Sequence, residues 1–157
     1  EVFNLNDVNE VAYYIDGADE VSPKNYLIKG GGGAHTREKI IASASKEFIC
    51  IVDKSKLVEN LGLFPLPIEV IPESRSLVSR KIISFGGKPI YREGFITDQG
   101  NQIIDVEDMD ISDPEALEAL INNIPGVVDN GIFAFNKPEI VLVSDWLGTI
   151  EVFLSHQ

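Results

Sequence analysis

The 157-residue sequence predicts an α/β chain, part of a parallel-sheet domain followed by a smaller α+β domain. Three observations predict it. Apolar runs at residues 11–15, 26–28 and 48–52 are separated by turn and glycine motifs and by one stretch with helical apolar spacing. From residue 65 the order changes to strand, helix, two strands around a turn, helix and strand. No apolar stretch approaches the roughly 20 residues that a bilayer span needs, so these segments belong to a folded core.

Residues 11–15 read as a buried strand that ends in the turn Asp16-Gly17-Ala18-Asp19. After a polar turn at Ser22-Pro23-Lys24-Asn25, residues 26–28 read as a second strand running into four glycines at 30–33. Ile40, Ile41, Ala44 and Phe48 recur at helical spacing, which predicts a helix from near Thr36 that ends before a strand at 48–52. Strand, loop, helix and strand in this order are the ingredient of a Rossmann-like parallel sheet. Such sheets bind ligands at the carboxyl ends of their strands, where the Asp16 turn and the glycine loop are both expected.

The second half opens on Phe64-Pro65-Leu66-Pro67 and a short strand at 68–71. A helix over 74–85 has Leu77, Val78, Ile82 and Phe85 on one side, and strands at 89–94 and 102–106 flank the turn Asp98-Gln99-Gly100-Asn101. Asp113-Pro114 supplies an N-cap and a first-position proline to the next helix. Leu117, Leu120, Ile121 and Ile124 form its stripe, and Pro125-Gly126 stops it before a strand at 127–135. This β-α-β-β-α-β order matches the ferredoxin-like plan. Extended runs at 139–143 and 149–154 either return to the first sheet or close the second. The expected division is 1–64 plus 140–157 as the C-terminal part of the Rossmann-like domain, and 65–139 as the ferredoxin-like domain.

Thirteen basic against 25 acidic side chains give a formal charge of -12, which argues against a nucleic-acid binder. Cys50, the single cysteine, lies inside an apolar run, so it is read as a packing residue, without an intrachain disulfide. A cytoplasmic location fits that usage and the lack of a basic-then-apolar leader, and no membrane partner is expected. The opening Glu1-Val2-Phe3-Asn4-Leu5 has no methionine and reads as the middle of an extended segment, so an N-terminal part is expected to precede it.

The chemistry-bearing cluster is Asp16, Asp19, Lys29 and Glu38, placed at two strand ends and a helix entry. Such a set suits proton transfer next to a carbonyl. One carboxylate takes a C–H proton while a cation or acid stabilises the developing oxyanion. Taken singly, the aspartates are ordinary turn residues and Glu38 suits any first helical turn. The glycine run lacks the ending of a nucleotide P-loop and the spacing of a dinucleotide fingerprint; between strand and helix it favours backbone contact with an anion or polyol. The helix N-terminus with Lys29, Arg37 and Lys39 is expected to keep Glu38 ionised and so make it a weaker base. His35 beside the cluster reads as a helix cap, His156 as tail and Trp146 as packing. The acidic stretch Glu107, Asp108, Asp110 and Asp113 has no metal-ligand spacing and reads as a solvated loop.

The strings Asp16-Gly17-Ala18-Asp19-Glu20, Ile28-Lys29-Gly30-Gly31-Gly32 and Thr36-Arg37-Glu38-Lys39-Ile40-Ile41-Ala42 closely resemble the type A ribose-5-phosphate isomerases. Further matches run from Phe48 through Lys56, Phe64 through Pro72, Thr97 through Asn101 and Ile124 through Val128, covering nearly the entire chain. That family interconverts ribose 5-phosphate and ribulose 5-phosphate in the pentose phosphate pathway, without a metal or other cofactor. The resemblance implies that Glu38 is the base that shuttles a proton between C1 and C2, with Asp16, Asp19 and Lys29 as its catalytic companions. It implies substrate binding by Asp16, Gly17, Ala18, Asp19, Lys29, Gly30, Gly31, Gly32 and Lys56. The family's N-terminal Gly-Thr-Gly-Ser/Thr phosphate loop has no counterpart string here, so a chain limited to these residues is expected to need that part for turnover. The alternative reading is a non-catalytic sugar-phosphate-sensing domain of a regulator. A homo-oligomer, dimer or tetramer, is expected from an open sheet face or edge pairing with a copy of itself.

Overall fold

A computed structural model describes residues 1–145 and 147–154; Trp146 and His156 lie outside them. The chain begins with β1 (Val11–Asp16), the short strands β2 (Glu20–Val21) and β3 (Leu27–Ile28), helix α1 (His35–Ala44) and β4 (Ser45–Asp53). Then follow β5 (Leu66–Val70), α2 (Arg75–Ser84), β6 (Lys88–Tyr91), β7 (Gln102–Glu107), α3 (Pro114–Asn122) and β8 (Val127–Asn130). The chain closes with β9 (Ile132–Phe133), β10 (Ile140–Ser144) and β11 (Ile150–Leu154). No helix among the described residues is long and apolar enough to cross a membrane.

These strands form three sheets. In the first, ordered β1-β4-β10-β11, the first three strands run parallel and β11 is antiparallel, so both tail segments return to this sheet. The second joins β2, β3 and β9, all antiparallel. The third, ordered β6-β7-β5-β8, is antiparallel and carries the β-α-β-β-α-β connection expected from the sequence. Its core is Leu66, Ile68, Val70, Ile104 and Val106 under Val78, Ile82, Leu117 and Ile121.

The strand after the first turn differs from expectation: β3 joins the small antiparallel sheet, because a tight turn at 22–25, with Asn25 at φ 60°, folds it back onto β2. The parallel neighbours are instead β1 and β4, with Tyr14 beside Phe48 and Asp16 beside Cys50. The strand expected over 127–135 is broken into β8 and β9, which lie in different sheets. Gly131 makes the break. Its N–H donates to Pro67 O at 2.8 Å, its O accepts from Lys29 N at 2.9 Å, and a Cβ there would meet Lys29 O at 2.2 Å. Only glycine permits that approach.

Burial also departs from the expected pattern. β1 is buried on one face alone: Tyr14 packs inward while Tyr13 and Ile15 are 62% and 58% exposed. On α1 the expected apolar stripe faces outward, with Ile40, Ile41 and Ala44 exposed; the buried side is His35, Thr36, Lys39 and Ala42. Leu77 on α2 and Leu120 on α3 are exposed as well, whereas Glu118 is buried. On α1 and α3 the departure has a cause: buried Lys39 and Glu118 pair with each other across distant segments, and burying a paired charge displaces an apolar residue from the inward position.

Candidate active site

Asp16 is the last residue of β1, and the period-two alternation of the strand puts Tyr14 on the same face. The Tyr14 hydroxyl donates to Asp16 Oδ2, and Gly17 N donates to Asp16 Oδ1 at 2.8 Å. Lys29 enters from the end of β3, held by the backbone bond to Gly131, and is only 4% exposed. Its Nζ lies 3.0 Å from Asp16 Oδ2 and 3.2 Å from Glu38 Oε2, and donates to Gly17 O. All three ammonium protons thus have acceptors.

Asp19 stands across the same cleft and accepts from Gly31 N at 2.8 Å, which ties the glycine loop to the Asp16 turn. The cleft, about 190 Å³, is lined by Asp16, Gly17, Ala18, Asp19, Lys29, Gly30, Gly31, Gly32 and Glu38. A Cβ at Gly31 would meet the Asp19 carboxylate at 2.8 Å, so the loop needs its glycine to lie this close. Gly17 and Ala18 also line a neighbouring cavity of about 450 Å³ with Lys56, Asp53, Ser144 and Asp145 at the carboxyl ends of β4 and β10. All nine residues singled out for substrate binding or catalysis in the cleft are brought together, and Lys56 flanks them.

The electrostatics differ from the sequence-based expectation for Glu38. Arg37 turns outward to Asp98 (3.3 Å) and Lys39 turns inward to Glu118 and Asp129, both at 2.9 Å, so only Lys29 pairs with Glu38. Burial pushes the Glu38 carboxyl above its ordinary value, opposed by Lys29 and reinforced by the charges of Asp16 and Asp19. Glu38 is therefore a stronger base than an isolated glutamate. Burial also acts upward on Asp16, but the Tyr14 hydroxyl and the Lys29 ammonium outweigh it and hold the carboxyl below its ordinary value. Two carboxylates beside one cation thus have opposite tendencies, one to accept a proton and the other to stay ionised. Burial raises the Tyr14 hydroxyl and pushes the Cys50 thiol up to about 12, so both stay protonated.

His35 is no cap. Ala34 occupies the N-cap position without a side-chain bond, and His35 is the first helical residue, fully buried, with Nε2 3.4 Å from Asp129 O and Nδ1 unpartnered. Sequence reasoning missed Tyr14, which the alternation of β1 signals, and Arg92, which nothing local signals. Arg92 pairs with Asp105 through Nη2 at 2.5 Å and Nε at 2.8 Å, and donates to Gly30 O at 3.2 Å and Gly31 O at 3.1 Å. Buried Glu69 was also missed in this role; it accepts from Thr36, and from Thr97 and Asn101 at 2.8 Å each, joining the 97–101 turn to the start of α1. The acidic stretch is solvated or capping, as Glu107 pairs with Lys88 and Asp113 caps α3. Among the described residues no group of His, Cys, Asp and Glu side chains is arranged to hold a metal ion.

The geometry has close counterparts. The chain is 56% identical over 144 residues to ribose-5-phosphate isomerase A of Haemophilus influenzae, covering 91% of this chain and 66% of that protein. Its structure superposes on the crystal structure of ribose 5-phosphate isomerase A from Neisseria gonorrhoeae with a TM-score of 0.96 at 49% identity, over 99% of this chain and 70% of that one. A D-ribose-5-phosphate isomerase solved in complex with phospho-erythronic acid gives a TM-score of 0.92 at 41% identity, over 97% of this chain and 69% of that one. The chain thus spans about two thirds of the length of the relatives it matches. Residues 1–146 also match the family described as ribose 5-phosphate isomerase A (phosphoriboisomerase A), and the chain belongs to that family.

Proposed function

We propose that the protein interconverts D-ribose 5-phosphate and D-ribulose 5-phosphate, with Glu38 moving a proton between C2 and C1 through an enediolate. The observation that carries this reading is the buried ammonium of Lys29 bridging Asp16 and Glu38 in a cleft also lined by the glycine loop. Because the three Lys29 donors are all in use, a substrate oxygen entering the cleft has to displace one acceptor. Exchanging Glu38 for the sugar O1 or O2 frees the carboxylate to take the proton and places the cation on the oxygen that becomes negative. Asp16, kept ionised, holds the Lys29 ammonium in place; Asp19 and the backbone of residues 30–32 face the sugar hydroxyls. Lys56 meets the far end of the substrate from the neighbouring cavity. The relative bound to a phosphorylated sugar acid supports a phosphorylated, open-chain polyol as the ligand class.

A sensing domain needs no proton acceptor poised by burial beside a cation, and the relatives named above are isomerases, so that reading is not favoured. Glu38→Gln in the whole protein is expected to lower kcat for ribulose 5-phosphate formation by on the order of 10²-fold or more while KM changes little. Normal turnover in that variant would sink the proposal. In the unsubstituted enzyme, activity should fall on the acid side through a group titrating above 4.5, the ordinary value from which Glu38 is raised. A place in the pentose phosphate pathway follows from the same substrate. A cytoplasmic location fits the fully buried Cys50, and a homo-oligomer fits the exposed edge strand β11; fractionation and sedimentation test these two readings.

A further inference from the structure

Resting on that reading of Glu38, we propose that Lys39 is a positioning residue for the reaction, seating the helix that carries the base through a buried ionic network. Neighbouring residues on a helix diverge by about 100°. Glu38 accordingly faces the cleft while Lys39, 7% exposed, points into the body of the protein. Its ammonium meets three acceptors: Glu118 Oε1 and Asp129 Oδ1 at 2.9 Å each, and Asn130 O at 2.7 Å.

Both carboxylates are themselves held. Glu118 Oε2 accepts from Ala134 N at 2.9 Å and Phe135 N at 3.1 Å, and Asp129 Oδ1 accepts from Asn122 Nδ2 at 3.1 Å and Asn130 N at 2.8 Å. The network therefore joins α1 to α3, to β8 and to the segment after β9. Apolar packing does not do this for α1, whose buried side offers Ala42 as its one apolar side chain while Ile40 and Ile41 face out. The Phe133 ring lies 4.9 Å from Lys39 Nζ and 5.7 Å from Lys29 Nζ, so one buried aromatic separates the network from the site cation. An apolar seat tolerates sliding, whereas three directed bonds to one ammonium set both the rotation and the height of a helix. Proton transfer is sensitive to displacements of about 1 Å, which is the scale such a seat controls.

The test is Lys39→Met and the charge-balanced Lys39→Met/Glu118→Gln in the whole protein, assayed at a temperature where circular dichroism shows each to be folded. Both are expected to lose roughly 10- to 100-fold in kcat with KM within about threefold. The primary isotope effect on kcat with C2-deuterated ribose 5-phosphate should rise, because a displaced base slows proton transfer itself. The double variant should recover thermal stability relative to the single one without recovering kcat. Wild-type kcat in either folded variant, or joint recovery of stability and kcat in the double one, overturns the positioning role. Glu38→Gln run alongside separates the two ideas: turnover there defeats the reaction assignment, whereas an inactive Glu38→Gln beside a fully active Lys39→Met defeats the positioning role alone.

Discussion

Lys29 reaches the cleft only because its own backbone is pinned. Its N–H donates to Gly131 O, and Gly131 N donates in turn to Pro67 O, so three segments meet within one peptide of a proposed catalytic residue. A methyl at Gly131 would sit 2.2 Å from Lys29 O, a contact with backbone that no rotamer relieves. Gly131→Ala should therefore destabilise the protein by about 1–3 kcal/mol, the usual range for overpacking, and lower kcat more than a surface substitution of equal destabilisation. Urea unfolding with parallel kinetics checks both; an unchanged midpoint would show that the backbone yields at little cost. At the same scale, the opposite tendencies of Asp16 and Glu38 come from their contacts: Tyr14 and Lys29 both donate to Asp16, whereas Glu38 has Lys29 alone against its burial.

Among the elements, the glycine loop and α1 form two walls of the cleft, and the third sheet holds both. Arg92, just past β6, grips the carbonyls of Gly30 and Gly31 while Asp105 on β7 fixes its guanidinium through two bonds along one edge. The loop is thereby held with its Gly31 amide toward Asp19. Arg92→Met should loosen the loop and raise KM for ribose 5-phosphate by roughly 10-fold with a smaller effect on kcat, since buried or half-buried charge-assisted bonds are worth about 1.5–3 kcal/mol. Steady-state kinetics decide it. A drop in kcat at constant KM would place Arg92 in the chemistry instead of in loop support. The contrast with Lys39, whose loss should act on kcat, reflects what each cation holds: a binding surface in one case and the base's helix in the other.

For the molecule as a whole, the buried histidine ties stability to pH. Burial lowers the His35 pKa from 6.5 to about 4, with the Asp129 charge opposing and Lys39 assisting. Between those values the unfolded chain binds a proton that the folded one refuses, so stability rises with pH across that window and is lost as pH falls through it. Glu38, raised above 4.5, acts in the opposite sense, since the folded state holds its proton more tightly than the unfolded one. His35→Leu should flatten the fall in Tm between pH 6.5 and 4 relative to the parent protein. Scanning calorimetry over that range measures it, and parallel curves for the two proteins would rule His35 out as the source.

By itself the sequence determined the α/β class, the β-α-β-β-α-β unit and the grouping of Asp16, Asp19, Lys29 and Glu38. Each rests on a local signal: turn and glycine motifs, helix caps such as Asp113-Pro114, and short-range spacing between site residues. Only the tertiary structure decided which face of α1 turns inward, where the strand over 127–135 breaks, and how strong a base Glu38 is. Those outcomes depend on partners far along the chain, as Lys39 finds Glu118 and Asp129, Lys29 N finds Gly131 O, and Arg92 finds Gly30 and Gly31. A local pattern predicts an apolar stripe because water is the default surrounding. A buried ion pair reverses that preference, and no spacing rule announces a pair whose members, like Lys39 and Glu118, lie 79 residues apart along the chain.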